Sequence, residues 1–350
     1  MKHQIDNFTV VLPVTCNADC GFCPEKEMET KENKDVWIKN MVDAINSTEH
    51  LGYDHVSISG GEPSLDPRLL KKTIRAIITE THISKIGLTT NGQFLECTSK
   101  TEKFLDAISD DLGFPLLDFI NISRHAVKTE DNNRIMKVNY KHTMSDIIAF
   151  RNVIQGVESF HINTVVEFER DVKPLFKQFS VIQPALQKNN IDVVFRTAYD
   201  WQEYSRKTHN LTIPPDLLEE FVSHFGFMRL ISECDTCLTY QSTVTENIWL
   251  KGATFEPTDH EETARELVLH QDGILYYDWG RNKPYLDADK LAEKEMNDLL
   301  GAPTIFIQPI KKLPVDLVEK HRPAAVKVIP TKYVEEEYRG CGFGVQRCGF

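Results

Sequence analysis

The alternation of strand-like and helix-like segments along the first 200 residues restricts the fold more than any other feature of this sequence. Short apolar runs predict six strands, and longer segments with apolar residues at helical spacing separate them. The predicted strands are 8–14, 55–59, 85–88, 118–123, 160–168 and 192–197, and the predicted helices are 34–47, 69–79, 103–112, 145–154 and 172–186. Strands connected in this way run parallel with right-handed crossovers, so the sheet is either doubly wound or curled into a barrel.

The pattern changes after residue 200. The sequence predicts a helix over 216–225, an antiparallel hairpin within 266–279 and a further helix near 286–300. The last fifty residues contain five prolines, which predicts an irregular wrap over the core. We therefore expect two units, residues 1–200 and a C-terminal extension, 201–350, that covers the first unit and could hold part of the substrate site.

Composition indicates an ordinary globular protein, since 41% of the residues are hydrophobic and 26% are charged. The net charge of −12 argues against generic binding to nucleic-acid backbones or anionic membranes. No apolar run approaches the ~20 residues of a membrane span, and the first residues do not resemble a secretory signal. We therefore expect a cytoplasmic protein, in which eight cysteines indicate metal binding or catalysis rather than disulfides.

Three of these cysteines directly follow the first predicted strand. Cys16, Cys20 and Cys23 have the spacing C-x3-C-x2-C, and Phe22 can shield one face of a bound group. Three thiolates can hold three corners of a cubane iron–sulfur cluster and leave the fourth iron open. The alternatives are unligated thiols and a zinc site, which normally needs a fourth ligand such as His3.

Polar motifs also follow the next three predicted strands. They are Gly60-Gly61-Glu62-Pro63, Thr89-Thr90-Asn91-Gly92 and Ser123-Arg124. Because the carboxyl ends of parallel strands meet at one edge of a sheet, we expect these motifs to gather beside the cysteines.

In this order, the four motifs resemble those of the radical S-adenosylmethionine (SAM) superfamily. The resemblance implies a partial (β/α)6 TIM-like barrel with a C-terminal α+β extension. It implies that Cys16, Cys20 and Cys23 hold a [4Fe-4S] cluster and that SAM chelates the open iron. An electron from a reductant such as flavodoxin or ferredoxin would then split SAM into methionine and a 5′-deoxyadenosyl radical, which abstracts a hydrogen atom from the substrate.

The resemblance also implies SAM-binding roles for the motif residues. Gly60 and Gly61 would let the backbone approach the methionyl amino group, and Glu62 could accept from that group or hold the loop in place. Thr89 and Asn91 would contact the ribose or the methionyl group, unless they only form an Asn-Gly turn.

The pair after the fourth strand is the strongest candidate for the SAM carboxylate. Arg124 could bind that carboxylate or instead form a structural salt bridge, and Ser123 could bind it or a ribose hydroxyl. On the next two strands, Asn163 and Arg196 are candidates for a substrate cavity.

The second half of the chain contains four more cysteines, Cys234, Cys237, Cys341 and Cys348. They could hold an auxiliary metal site, remain unligated thiols or take part in the chemistry, and we favour a chain without a second metal.

The expected substrate is a peptide or a small molecule, with a nucleotide or tRNA base as the alternative, and the reaction subtype stays open. A different class of function is a non-catalytic protein that either binds zinc or transfers electrons through an iron–sulfur cluster. It would close the site of Cys16, Cys20 and Cys23 with one of the four later cysteines.

Overall fold

Eleven strands form one hydrogen-bonded sheet in the computed structural model. The structure describes residues 5, 7–23, 33–167, 171–197, 213, 215–234, 237–253, 266–277, 279 and 285. The strands in these ranges are β1 (Asn7–Leu12), β2 (His55–Gly60), β3 (Lys85–Thr90), β4 (Phe119–Ser123), β5 (Ser159–Val166), β6 (Asp192–Thr197), β7 (Met228–Cys234), β8 (Cys237–Ser242), β9 (Ile248–Ala253), β10 (Glu266–Leu269) and β11 (Leu275–Tyr276).

Helices connect the first six strands in turn. They are α1 (Lys34–Ser47), α2 (Pro67–Glu80), α3 (Thr98–Ile108), α4 (Thr129–Met136), α5 (Met144–Val153) and α6 (Val172–Lys188), and α7 (Pro215–Phe225) follows β6. Their apolar faces bury Trp37, Met41, Leu70 and Phe176 against one face of the sheet. None of the helices in the described ranges has the length and apolar character that crossing a bilayer requires.

The strand order decides between the two architectures that the alternation left open. The order is β11-β10-β1-β2-β3-β4-β5-β6-β9-β8-β7, so the first six strands lie side by side in chain order. A doubly wound sheet reverses its direction at a switch point, whereas a barrel keeps winding in one direction. The observed order is that of a partial TIM-like barrel.

The C-terminal strands extend this sheet at both edges. β10 pairs parallel with β1 at one edge, and β9 pairs parallel with β6 at the other. β11 and the meander of β7 and β8 then continue the two edges with antiparallel pairs. The boundary predicted near residue 200 and the helix predicted near 286–300 fall outside the described residues.

Most predicted elements are confirmed, and the differences have local causes. α3 begins earlier than predicted, because its first turn is polar and the apolar stripe starts only at Phe104. It ends before Asp110, whose carboxylate accepts hydrogen bonds from the backbone of Leu112 and Phe114 and forms a turn. The prediction missed α4, which is mostly polar, and the strands β7, β8 and β9.

Candidate active site

The cysteine loop follows β1 and lies against three other loops at the same edge of the sheet. Its three cysteines are not in disulfides; Cys16 is exposed and the other two are half-buried. Although the residue Cys16 touches solvent, the loops packed around its thiol disfavour the thiolate and raise the pKa of Cys16 to about 11, with smaller contributions from Glu62 and Cys23. A bound metal would displace this proton.

Gly61 allows the loop after β2 to pack directly on the cysteine loop, and Gly60 allows the end of β2 to lie close to the end of β1. A Cβ atom on Gly61 would lie 2.5 Å from the carbonyl carbon of Thr15, and a Cβ atom on Gly60 would lie 2.8 Å from the backbone of Leu12. Both neighbours are backbone atoms, which cannot rotate away. The backbone N–H of Glu62 also donates to the carbonyl of Thr15 at 3.0 Å, so the two loops are directly joined.

The carboxylate of Glu62 joins the loop after β2 to the loop after β3. It is fully buried and accepts hydrogen bonds from the Thr90 hydroxyl and the Asn91 backbone, both at 2.6 Å, and from the Ser64 backbone at 2.9 Å. Burial raises the pKa of Glu62, while these hydrogen bonds oppose the rise.

Asn91 connects the same network to the cysteines. Its amide donates to the Asn17 side chain at 2.9 Å and lies 3.8 Å from the Cys16 sulfur. Its oxygen accepts from the backbone of Gln93, which is the turn that the Asn-Gly pair predicts. Thr89 lies on β3, where its hydroxyl accepts a long hydrogen bond of 3.4 Å from Asn121.

Arg124 lies inside the loop after β4. Its guanidinium is fully buried and donates to the carbonyls of Ala126 and Val127 at 2.9 and 3.1 Å and to the Thr129 hydroxyl at 3.0 Å. A weaker contact of 3.4 Å reaches the carbonyl of His142. The side chain therefore organises its own loop, and neighbouring Ser123 is half-buried at the end of β4.

The structure also shows contacts around the site that the sequence analysis did not predict. Phe22 packs edge-on against His125, with 4.8 Å between the ring centroids, and the Asp19 backbone donates to the carbonyl of Met136 at 2.9 Å. On the Asn91 side, the Nδ1–H group of His142 donates to the Glu96 carboxylate at 2.8 Å. These contacts depend on α4 and its flanking loops, which carry no motif in the sequence.

The family model described as "Radical SAM superfamily" matches residues 10–167, which contain all four motifs. These residues form a radical SAM superfamily domain.

Curated relatives match part of the length of this chain. A protein of Psychromonas ingrahamii named GTP 3′,8-cyclase is 31% identical over 202 residues, which cover 55% of this chain and 50% of the relative. One of Clostridium acetobutylicum with the same name is 25% identical over 199 residues, covering 52% of this chain and 58% of the relative. The chain thus spans about half the length of these relatives.

A solved structure supports the fold. The Streptococcus suis protein SuiB, crystallised with its precursor peptide SuiA, superposes with a TM-score of 0.51 at 14% identity, covering 82% of this chain and 63% of SuiB. At this level of identity, the likeness concerns the fold alone.

The donor set of the cysteine loop fits the [4Fe-4S] cluster that a radical SAM domain implies. In the part of the chain that the structure describes, no three His, Cys, Asp or Glu side chains converge on one metal ion. A cubane cluster does not need such convergence, because each of three thiolates binds a different iron. Three thiols on one short loop, held by the close-packed Gly60 and Gly61, are suited to this arrangement.

A second metal site at the four C-terminal cysteines, which was one of three possibilities for them, is not shown. Cys234 and Cys237 face each other as Cα partners at the end of the β7–β8 hairpin. Cys341 and Cys348 lie outside the described residues.

Proposed function

We propose that this chain is a radical SAM enzyme that abstracts a hydrogen atom from a small-molecule substrate. The carrying observation is the cysteine loop itself, in which three thiols are held at the barrel edge by direct contacts with the loops after β2 and β3. When bound, the cluster and SAM supply the 5′-deoxyadenosyl radical, so the protein has to bind, orient and shield them.

We assign different tasks to the residues of the four motifs. Cys16, Cys20 and Cys23 hold the cluster. The backbone at Gly60 and Gly61 and the side chains of Thr89 and Ser123 are the proposed SAM contacts, since they lie at the ends of β2, β3 and β4.

Glu62, Asn91 and Arg124 were each predicted either to contact SAM or to have a structural role, and we now propose that they mainly position the loops that contact SAM. Their hydrogen bonds to neighbouring loop atoms support this assignment.

For the substrate, we favour a small molecule over a peptide. The relatives named GTP 3′,8-cyclase support a nucleotide in particular, although they match only about half of their own length. Incubation with GTP and, separately, with short peptides, followed by mass analysis of the products, distinguishes the two classes. A mass change of about two hydrogens would indicate oxidation, and an unchanged mass would indicate isomerisation.

The activity is tested by anaerobic reconstitution of the full chain. We expect about four irons and four sulfides per chain and the release of 5′-deoxyadenosine when dithionite and SAM are added. Replacing Cys16, Cys20 or Cys23 with Ala should abolish this release, while Cys97→Ala, at an exposed cysteine outside the loop, should not. Iron binding without release of 5′-deoxyadenosine would refute the proposed enzymatic activity and favour a role in electron transfer.

A further inference from the structure

The side-chain amide of Asn91 is held in one orientation beside the cysteine loop. Its Oδ1 atom accepts a hydrogen bond from the backbone N–H of Gln93 at 3.0 Å, so turning the amide over would put two donors against each other. The backbone N–H of Asn91 donates to the Glu62 carboxylate at 2.6 Å. Because both ends of Asn91 are fixed and only 7% of the residue is exposed, the fold determines where its amide N–H groups point.

These two N–H groups face the cysteine loop. The Nδ2 atom donates to Oδ1 of Asn17 at 2.9 Å and lies 3.8 Å from the sulfur of Cys16. A primary amide has two N–H groups, so it can serve both acceptors at once. The backbone N–H of Ala18 approaches the same sulfur at 3.4 Å, which gives Cys16 two N–H donors. A neutral thiol accepts weakly, but the thiolate that binds iron is a charged and therefore stronger acceptor.

Asn91 lies between two groups that are negative when a metal is bound. Its backbone N–H faces the carboxylate of Glu62, its side chain faces the sulfur of Cys16, and these two groups interact electrostatically with each other. A nearby carboxylate makes it harder to add an electron to a cluster, whereas N–H groups directed at a ligand sulfur make it easier. Because the amide is buried, water screens its effect on the sulfur only weakly.

We propose that Asn91 raises the reduction potential of the iron–sulfur cluster by donating an N–H···S hydrogen bond to the Cys16 ligand. The bond is stronger when the cluster carries the additional electron, so it stabilises the reduced state more than the oxidised state. This inference rests on the proposed function, since it takes Cys16 to be a cluster ligand. It gives Asn91 a task beyond joining two loops, because the potential decides which one-electron donors can reduce the cluster.

The test is a redox titration of the anaerobically reconstituted full chain without SAM, followed by electron paramagnetic resonance of the reduced cluster. Asn91→Leu removes both N–H groups at similar volume, so the midpoint potential should become more negative. We expect the ratio of reduced to oxidised cluster at a fixed potential to fall about three- to tenfold, where tenfold corresponds to about 59 mV for a one-electron couple. Asn91→Asp replaces the donor with a negatively charged oxygen of the same shape and should lower the midpoint further than Asn91→Leu.

Thr90→Val is the matched control for a loosened loop. The Thr90 hydroxyl donates to Glu62 at 2.6 Å, and within the described part of the chain it makes no hydrogen bond to a cysteine. This variant weakens the link between the loops after β2 and β3 but retains the Asn91 amide, so the midpoint should not fall. An equal fall in Thr90→Val, or an unchanged midpoint in both Asn91 variants, would overturn the inference.

Cluster content and 5′-deoxyadenosine release keep the two hypotheses apart. Partial loss of iron does not disturb the test, because the midpoint depends on the shape of the titration and not on its amplitude. Complete loss of the cluster from both Asn91 variants would also overturn the inference, since Asn91 would then act in cluster assembly. If the unmodified chain holds the cluster but releases no 5′-deoxyadenosine, only the proposed function fails; release with unchanged midpoints refutes only the role of Asn91, and absence of iron refutes both.

Discussion

Gly61→Ala tests whether the loop after β2 must touch the cysteine loop. The added Cβ would lie 2.5 Å from the carbonyl carbon of Thr15 and 2.6 Å from its oxygen, where ordinary contacts exceed 3.4 Å. The backbone of one loop would have to move by about 1 Å, at an overpacking cost of about 1–3 kcal/mol. The same movement would break the hydrogen bond from Glu62 to Thr15, which adds about 1 kcal/mol.

We therefore expect Gly61→Ala to lower the free energy of unfolding by about 2–4 kcal/mol and to reduce the iron bound on reconstitution. Urea denaturation followed by circular dichroism measures the first, and iron analysis the second. The matched control is Gly52→Ala, where the backbone φ is +84° but no atom lies within 4 Å of the added Cβ. Its cost should be only the left-handed strain, about 1–2 kcal/mol, with normal iron content. If Gly61→Ala lost less stability than Gly52→Ala and bound iron fully, the argument from close packing would be wrong.

Three further predictions concern other parts of the site. Arg124→Ala should lower the free energy of unfolding by about 3 kcal/mol or more in urea, because it leaves buried carbonyls without a donor, while Arg134→Ala at an exposed position should cost little. Because burial raises the pKa of Glu266 to about 7 in the folded chain, the folded chain binds more protons than the unfolded chain between about pH 4.5 and 7. The stabilisation that the protonated Glu266 provides is therefore complete below this range and is lost as the pH rises through it. Glu266→Gln should remove this pH dependence, so the variant should be up to ~3 kcal/mol more stable to unfolding than the unmodified chain at pH 8, with no comparable gain at pH 4. Equal pH dependence of unfolding in the two proteins would contradict the raised pKa of Glu266. Finally, the triple Ala variant of Cys16, Cys20 and Cys23 should retain no iron if it stays folded, whereas about four residual irons would indicate a second cluster at the C-terminal cysteines.

The sequence by itself determined the elements of the barrel and the edge at which its motifs gather. Periodicity predicts α1 and β6 with the bounds that the structure has. The apolar pattern that defines each element is local, since it spans a few helical turns in α1 and a single strand in β6. Parallel strands place their carboxyl ends together, so the cysteines and the loop around Glu62 were correctly predicted to lie side by side.

Only the tertiary structure decided where individual side chains point. Arg124 follows β4 as predicted, but its fully buried guanidinium donates to carbonyls of its own loop, which depends on how residues 126–142 fold back over β4. Likewise, the pairing of Arg196 on β6 with Lys251 on β9 joins segments more than fifty residues apart. Such contacts follow from the order in which strands pair, and that order depends on burial and hydrogen bonding summed over the whole sheet, which no local pattern contains.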